Sequence, residues 1–218
     1  MDPDTAPPGR RELQHPRFAR QYLGIAAEMD RRGGTAHRRQ LLEGVSGRVL
    51  EVGAGQGRNF AHYPRTVTDL VALEPEDTLR AAARRAAAEA RVPVTVVAGQ
   101  AGELPAGDGT LDAVVFSLVL CSVSEPEAAL AEAARVLRPG GQLRFYEHVR
   151  SLRRLGGLLQ DAITPLWALA GGGCHPNRDT VATIRSAGFT VDRSDRFGFA
   201  PVAFMPPLAH VIGLATKE

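Results

Sequence analysis

Three glycines at alternate positions close the segment Val49-Leu50-Glu51-Val52-Gly53-Ala54-Gly55-Gln56-Gly57. An acid, Glu74, ends the next apolar run, Leu70-Val71-Ala72-Leu73, 17 residues after Gly57. An apolar strand that turns sharply through glycines into a helix brings bare backbone up to a ligand that side chains would otherwise block. An acid at the tip of the following strand stands where it can accept both hydroxyls of a ribose. Together these spacings describe a site for a nucleotide-containing cofactor. Without the acid, the same glycines would describe only a tight strand-to-helix turn.

The acid before the glycines narrows the cofactor. Glu51 precedes Gly53-x-Gly55-x-Gly57, so the pattern is G-x-G-x-G and not the G-x-G-x-x-G of dinucleotide sites. A carboxylate is repelled by a pyrophosphate, whereas it suits the cationic amino-acid end of S-adenosylmethionine. The expected cofactor ligands are Glu51, Gly53, Ala54, Gly55 and Gly57, with Glu74 and Pro75 at the ribose.

Methyl transfer from a sulfonium is an in-line displacement in which the donor supplies the electrophile, so the protein's task is to position the reactants and exclude water. A thiol acceptor, with a pKa of about 8.5, is already partly thiolate at neutral pH. A phenol or alcohol needs a base more urgently. The candidate bases are His148, Asp161 and His175. Each has an ordinary structural reading as well: a satisfied strand-end histidine, a solvated acid, and a residue in a helix-start turn. Cys121 and Cys174 read as buried packing thiols. Two cysteines and scattered histidines lack the spacing of a zinc site, so no metal is expected.

The elements that must position these groups alternate strictly. Phe18, Tyr22, Ile25 and Met29 recur at helical spacing, and a second helix is expected over residues 35–42, ended by Gly44. Strands are expected at 48–52, 69–73, 94–97, 113–120 and 142–148. The intervening helices include an alanine-rich one starting at Asp77 and one carrying Leu130, Ala133, Ala134 and Leu137. Alternation of this kind predicts an α/β, doubly wound and mostly parallel sheet with ligand at the carboxyl ends of its strands. That rim holds Glu51, Glu74, Gln100, Ser117 and Glu147. Over 151–173 the apolar stripe Leu155, Leu158, Leu159, Ala162, Ile163 and Leu166, interrupted by Pro165 and closed by three glycines, is expected to form a helical lid or pocket wall.

Composition sets the outer limits. With 218 residues and 44% hydrophobic content the chain fits one domain over 13–218, behind a proline-rich flexible tail at 1–12. A net charge of +2 gives no field that would suggest nucleic acid as a partner. No apolar stretch of about 18 residues appears, so no integral membrane segment is expected. Two cysteines and the lack of a basic-then-apolar leader lead to a cytoplasmic expectation. The partner is expected to be a small-molecule acceptor.

Over about residues 45–150 the chain resembles class I S-adenosylmethionine-dependent methyltransferases. Val49 to Gly57 stands as their first motif, Glu74-Pro75 as the second, Gly99 to Pro105 as the loop edging the adenine, and Leu137-Arg138-Pro139-Gly140-Gly141 closes the set. The resemblance implies seven strands, the last antiparallel, with Val211 to Ala215 inserted beside Val191 to Arg196. It adds Gln100 and Ala101 to the cofactor ligands, beside Ser117, which its place on the rim puts among them. Leu118 to Val123, Tyr146 to Val149, Gln160-Asp161, Pro165-x-Trp167 and Gly173-Cys174-His175 with Arg178 are similar to the thiol S-methyltransferase-like branch, the methyltransferase-like 7 group and its bacterial relatives. Three functions follow as expectations: methyl transfer to a thiol; methyl transfer to oxygen, nitrogen or carbon of a quinone, lipid or natural product; or cofactor binding without transfer.

Overall fold

The computed structural model describes residues 13–218; the tail expected over 1–12 lies outside the described residues. Seven strands form one sheet: β1 (Gly47–Val52), β2 (Val67–Leu73), β3 (Val94–Val97), β4 (Leu111–Ser117), β5 (Leu137–His148), β6 (Phe189–Phe199) and β7 (Leu208–Lys217). Their order is β3-β2-β1-β4-β5-β7-β6. The first five run parallel, and β7 lies antiparallel between β5 and β6. The expected insertion is therefore present, with Val191 opposite Ala215 and Arg196 opposite Val211.

Side chains alternate across each strand, so neighbours go to opposite faces. Leu50 and Val52 join Val114, Phe116 and Phe145 in one buried cluster, while Val49 joins Leu70, Ala72, Ala113 and Val115 in another. Helices cover both faces, which is why the central strands read as continuous apolar runs. These are α1 (Pro16–Met29), α2 (Thr35–Leu42), α3 (Asp77–Ala87), α4 (Pro126–Val136), α5 (Arg154–Ala170) and α6 (Thr180–Ser186). A single π-turn at Asp30–Gly34, kinked at Gly33, joins α1 to α2. Helix α3 begins where Glu76 caps it, accepting from the Leu79 N–H at 2.7 Å.

Two boundaries differ from the periodicity. The apolar run 113–120 is not all strand: β4 stops at Ser117, because Leu118 takes φ +63° and turns the chain into a loop. Strand β5 starts at Leu137, five residues before the expected Gln142, and reaches it across an irregularity opposite Leu111 and Ala113.

The larger correction concerns α5. The expected helix is there, with Pro165 inside it, but its leucine stripe does not face the protein. Leu155 is 82% exposed, and Leu158, Leu159, Leu166 and Leu169 are exposed with it. The inward side is Gly157, Gln160 and Thr164. Gln160 fastens the inward side. Its Oε1 accepts from the Ser151 N–H at 2.6 Å, and its Nε2 donates to the carbonyls of Val149 and Pro176 at 3.1 and 3.0 Å. Two of these bonds go to backbone just after β5 and the third to Pro176 beyond α5, so a polar seam fastens the inward side of the helix at both ends.

Candidate active site

The glycine loop leaves β1 with Gly53, Gly55 and Gly57 all at positive φ, a region that suits glycine. Two of them also have no room for a side chain. A Cβ at Gly53 would lie 2.6 Å from Val119 Cγ2, and one at Gly57 would lie 2.6 Å from the Phe60 ring and 2.9 Å from Ala86 Cβ. Ala54 is buried, and its N–H donates to the Leu73 carbonyl at 2.9 Å, which ties the loop to the end of β2.

Glu74 locks the same junction. Its Oε2 accepts from the Gly55 N–H at 2.7 Å and its Oε1 from the Glu76 N–H at 2.9 Å. A carboxylate offers about four lone-pair sites, so two remain for an external donor. Pro75 gives its carbonyl to Gln14 Nε2 at 2.8 Å and to Arg80 at 2.9 Å. Gln14 also accepts from the Asp77 N–H, so the segment before α1 is fastened across the tip of β2. Tyr22 of α1 lies by Gly55, within 3.6 Å of where a Cβ would stand. The amino-terminal helix thus borders the cradle, as its position before the sheet suggests.

Glu51 is buried beneath the loop, with Oε1 accepting from Asn59 Nδ2 and Oε2 from the Tyr63 hydroxyl, both at 2.8 Å. Asn59 in turn accepts from buried Arg38 at 2.9 Å, and Arg38 pairs with Asp30 at 3.1 Å. The sequence pattern singles out Glu51 but none of this support. Burial pushes Glu51 up to about 7, against the opposing bonds from Tyr63 and Asn59. Burial likewise pushes Glu74 up to about 7, against the N–H groups of Glu76 and Gly55.

These shifts carry a sign for stability. The unfolded chain ionises Glu74 near the ordinary 4.5, while the folded chain keeps the proton to about 7. Between those values the native state binds more protons, so this group's contribution to stability falls as pH rises. In Glu74→Gln that titration is gone. The stability of the variant relative to the parent should therefore improve from about pH 5 to about pH 8, with most of the change below pH 7. Thermal melts across that range give the result, and a difference independent of pH would contradict the raised pKa.

Gln100 and Ala101, both half-buried, lie in the turn after β3, where Gln100 bridges to Glu103. Ser117 ends β4, half-buried and opposite Tyr146 of β5. These three and the cradle all stand at the carboxyl ends of β1 to β4, as expected of a doubly wound sheet.

The ends of β4 and β5 carry a second constellation. Glu147 is fully buried, with Oε1 accepting from the N–H groups of Val119 and Leu120 and Oε2 from that of Cys121, each at 3.0 Å. One carboxylate thus holds three consecutive amides of the loop after β4, whose Val119 packs on Gly53 of the cradle. Arg178 holds the carbonyl side, donating to Leu120 and Val123 at 2.7 Å. Gly173 permits the last approach: at φ +86°, a Cβ there would sit 2.8 Å from the Ser122 carbonyl. His175 donates its backbone N–H to the Cys121 carbonyl at 2.6 Å, and its Nδ1 lies 2.7 Å from the Gly173 carbonyl.

The result is that Cys121, His148 and Cys174 converge. His148 Nδ1 lies 3.5 Å from Cys121 Sγ and 3.4 Å from Cys174 Sγ, and the two sulfurs are 3.7 Å apart. Hydrogen bonding to Cys174, then burial, pushes Cys121 up to about 12, while the bond to Cys121 holds Cys174 below its ordinary value. The His148 ring also lies against buried His210 of β7, with centroids 4.4 Å apart and the rings tilted by 46°. His210 gives no sign of a role in the sequence, and Tyr146, although it opens the stretch Tyr146 to Val149, gives none of its bond to His37 of α2 at 3.2 Å. Asp161 stands outside this cluster. It is exposed, accepts from Arg150 at 2.6 Å and Asn177 at 3.1 Å, and is held below the usual carboxylate range by the Arg150 guanidinium. Nothing in this arrangement makes it a base.

A glycine cradle, an acid at the tip of β2 and an antiparallel β7 between β5 and β6 define the scaffold of a class I methyltransferase. Comparisons with known proteins agree. Residues 50–145 match the family model described as a methyltransferase domain. Thiol S-methyltransferase TMT1B of Homo sapiens is 36% identical over 182 residues, 81% of this chain and 74% of the relative. Thiol S-methyltransferase TMT1A of Homo sapiens is 33% identical over 184 residues, 82% of this chain and 75% of the relative. A solved methyltransferase from Thermotoga maritima, described as S-adenosylmethionine-dependent and a possible histamine N-methyltransferase, shares the fold with a TM-score of 0.69. It is 24% identical, and the match covers 93% of this chain and 97% of that one. The chain belongs to the class I S-adenosylmethionine-dependent methyltransferases, on the branch that includes the thiol S-methyltransferases, and S-adenosylmethionine is its cofactor. No helix of the described residues is long and apolar enough to cross a membrane.

Proposed function

We propose that this enzyme methylates the sulfur of a small, apolar thiol in the cytoplasm. The observation that carries the reading is the commitment of the carboxylates around the site. Glu147 is bonded to three amides, Glu51 to Asn59 and Tyr63, and Glu74 to two N–H groups with its remaining lone pairs given to the ribose, while Asp161 pairs with Arg150 on the surface. A phenol or alcohol would call for a base with a free lone pair at hydrogen-bonding range. A thiol ionises far enough without one. The identity with the two human thiol S-methyltransferases supports the same acceptor.

In this reading the cradle of Gly53, Ala54, Gly55 and Gly57 takes the amino-acid end of the cofactor, with Glu51 supplying negative charge from below. Glu74, with Pro75 behind it, accepts the ribose hydroxyls, and Gln100, Ala101 and Ser117 edge the adenine and the methyl. Bound there, S-adenosylmethionine supplies the methyl electrophile. The protein's contribution is to hold the acceptor in line and dry, through the loop that Glu147 and Arg178 fix beside Gly53. His148 and His175 flank the acceptor side; His148 faces two thiols and His175 a backbone carbonyl.

Transfer to a quinone is the competing reading, because demethylmenaquinone methyltransferase of Renibacterium salmoninarum is 41% identical over 97 residues. That match covers 44% of this chain and 39% of the relative, too little to speak for the acceptor. Mass-spectrometric detection of methylated product from a mixed panel of thiols, phenols, quinols and amines decides between them. Methylthioether from alkyl or aryl thiols is the expected product. Turnover of a quinol or phenol with none of any thiol would overturn the reading.

A further inference from the structure

We propose that Cys121, Cys174 and His148 form a binding site for a soft divalent cation, zinc in the first place, with a fourth position open to an external ligand. The ligand atoms come from three separate parts of the chain, the loop after β4, the end of β5 and the turn after α5, and all lie within 4.8 Å of one another. The distances have the form that zinc demands. Bonds of about 2.3 Å to sulfur and about 2.0 Å to nitrogen at tetrahedral angles put the sulfurs about 3.8 Å apart and each sulfur about 3.5 Å from the nitrogen. The observed triangle measures 3.7, 3.5 and 3.4 Å. A cation placed off that triangle would reach all three atoms without rearrangement of the backbone.

The chemistry of the set agrees with the geometry. Two thiolates and an imidazole are ligands that zinc and its soft neighbours prefer over magnesium or calcium. Packing alone explains the convergence less well, because two buried thiols and an imidazole share a single knot in which each is the others' main polar partner. The surroundings also act as an outer shell. Glu147 and Arg178 fix the Cys121 loop from its amide and carbonyl sides, and the N–H of His175 ties the Cys174 turn to the Cys121 carbonyl. The Trp167 indole nitrogen is buried without a hydrogen-bond partner. His148, half-buried where both cysteines are buried, offers the route of entry.

Three protein ligands are the pattern of zinc sites that keep an exchangeable position, whereas closed structural sites have four. The ligand suited to that position is a thiolate. Its sulfur would bond to the metal as the thiol proton leaves to solvent, at a site two residues along the loop from Val119, which packs on Gly53. This last step rests on the thiol reading above; the metal site does not.

The test uses the full-length reduced protein, stripped with a chelator and titrated with Zn2+ or Co2+ alone. One equivalent should bind. The cobalt form should show thiolate-to-cobalt charge transfer and the intense visible bands of tetrahedral coordination. Cys174→Ser and His148→Gln should each weaken zinc by more than the roughly 10–100-fold typical of outer-shell changes, with thermal melts reporting whether the variants fold. The cobalt spectrum of the unmutated protein stands whatever those variants do. Absence of stoichiometric binding, or a cobalt spectrum of octahedral type without charge transfer, overturns the site. So does reduced protein that takes no metal while its oxidised form is lighter by two hydrogens, which makes the cysteines a disulfide pair instead. If cobalt binds as expected, a small thiol added without S-adenosylmethionine should shift its visible bands. An unchanged spectrum then overturns the open position while leaving the three-ligand site intact.

Discussion

Glu147→Ala should be among the most destabilising single substitutions in this chain, lowering the free energy of unfolding by about 3 kcal/mol or more. The carboxylate is the acceptor for three consecutive backbone amides, Val119, Leu120 and Cys121, in a buried loop. Each orphaned buried donor costs about 1–3 kcal/mol, and relief of the carboxylate's own desolvation offsets part of the sum. Glu147→Gln keeps the shape and one acceptor oxygen but turns an N–H pair toward the amides, so its loss should be smaller, about 1–2 kcal/mol. Urea unfolding of both variants measures the difference. An alanine variant within about 0.5 kcal/mol of the parent, the range of ordinary surface changes, would mean that the loop finds other partners and that Glu147 does not hold it.

This residue also shows where sequence reading reaches its limit. The strands are visible because apolar runs and glycine turns are local signals, and β3 is predicted at its observed bounds. The cradle is visible for the same reason: its glycines and Glu51 lie within seven residues of each other. Even Glu147 is recognisable as a rim acid. What does not show is the set of amides it caps, because they lie 26 to 28 residues away and only the register of β4 against β5 brings them near. The convergence of Cys121, His148 and Cys174 is hidden in the same way, with sequence separations of 27 and 26 between successive members where zinc patterns are recognised by short spacings.

Helix α5 departs from its sequence pattern for a different reason. Its leucines predict the inward face by periodicity, a rule that assumes the core is the best place for an apolar stripe. In the structure the inward side is instead fastened by one buried glutamine with three backbone partners. A lone Gln160 among leucines carries no sequence signal of such a role, since the carbonyls it meets belong to Val149 and Pro176. The exposed leucines leave α5 without the buried apolar face that a closed lid would have.

Glu74→Ala should weaken S-adenosylmethionine by roughly 100-fold or more, the equivalent of about 3 kcal/mol. Hydrogen bonds to a charged group contribute about 1.5–3 kcal/mol each, and the ribose reading gives Glu74 two hydroxyls. The structure complicates the plain form of this test, because Glu74 also accepts from the Gly55 N–H and thereby holds the cradle. A loss of affinity alone would fit a loosened loop as well as a lost ligand. The two are separated by a cycle in which calorimetry compares S-adenosylhomocysteine with its 2′-deoxy analogue on parent and variant. If Glu74 accepts the hydroxyl, removing that hydroxyl weakens binding to the parent but adds little once the acid is gone. If Glu74 acts only through Gly55, the analogue is penalised equally on both proteins, and the acid at the tip of β2 is a strut of the cradle and not a ligand.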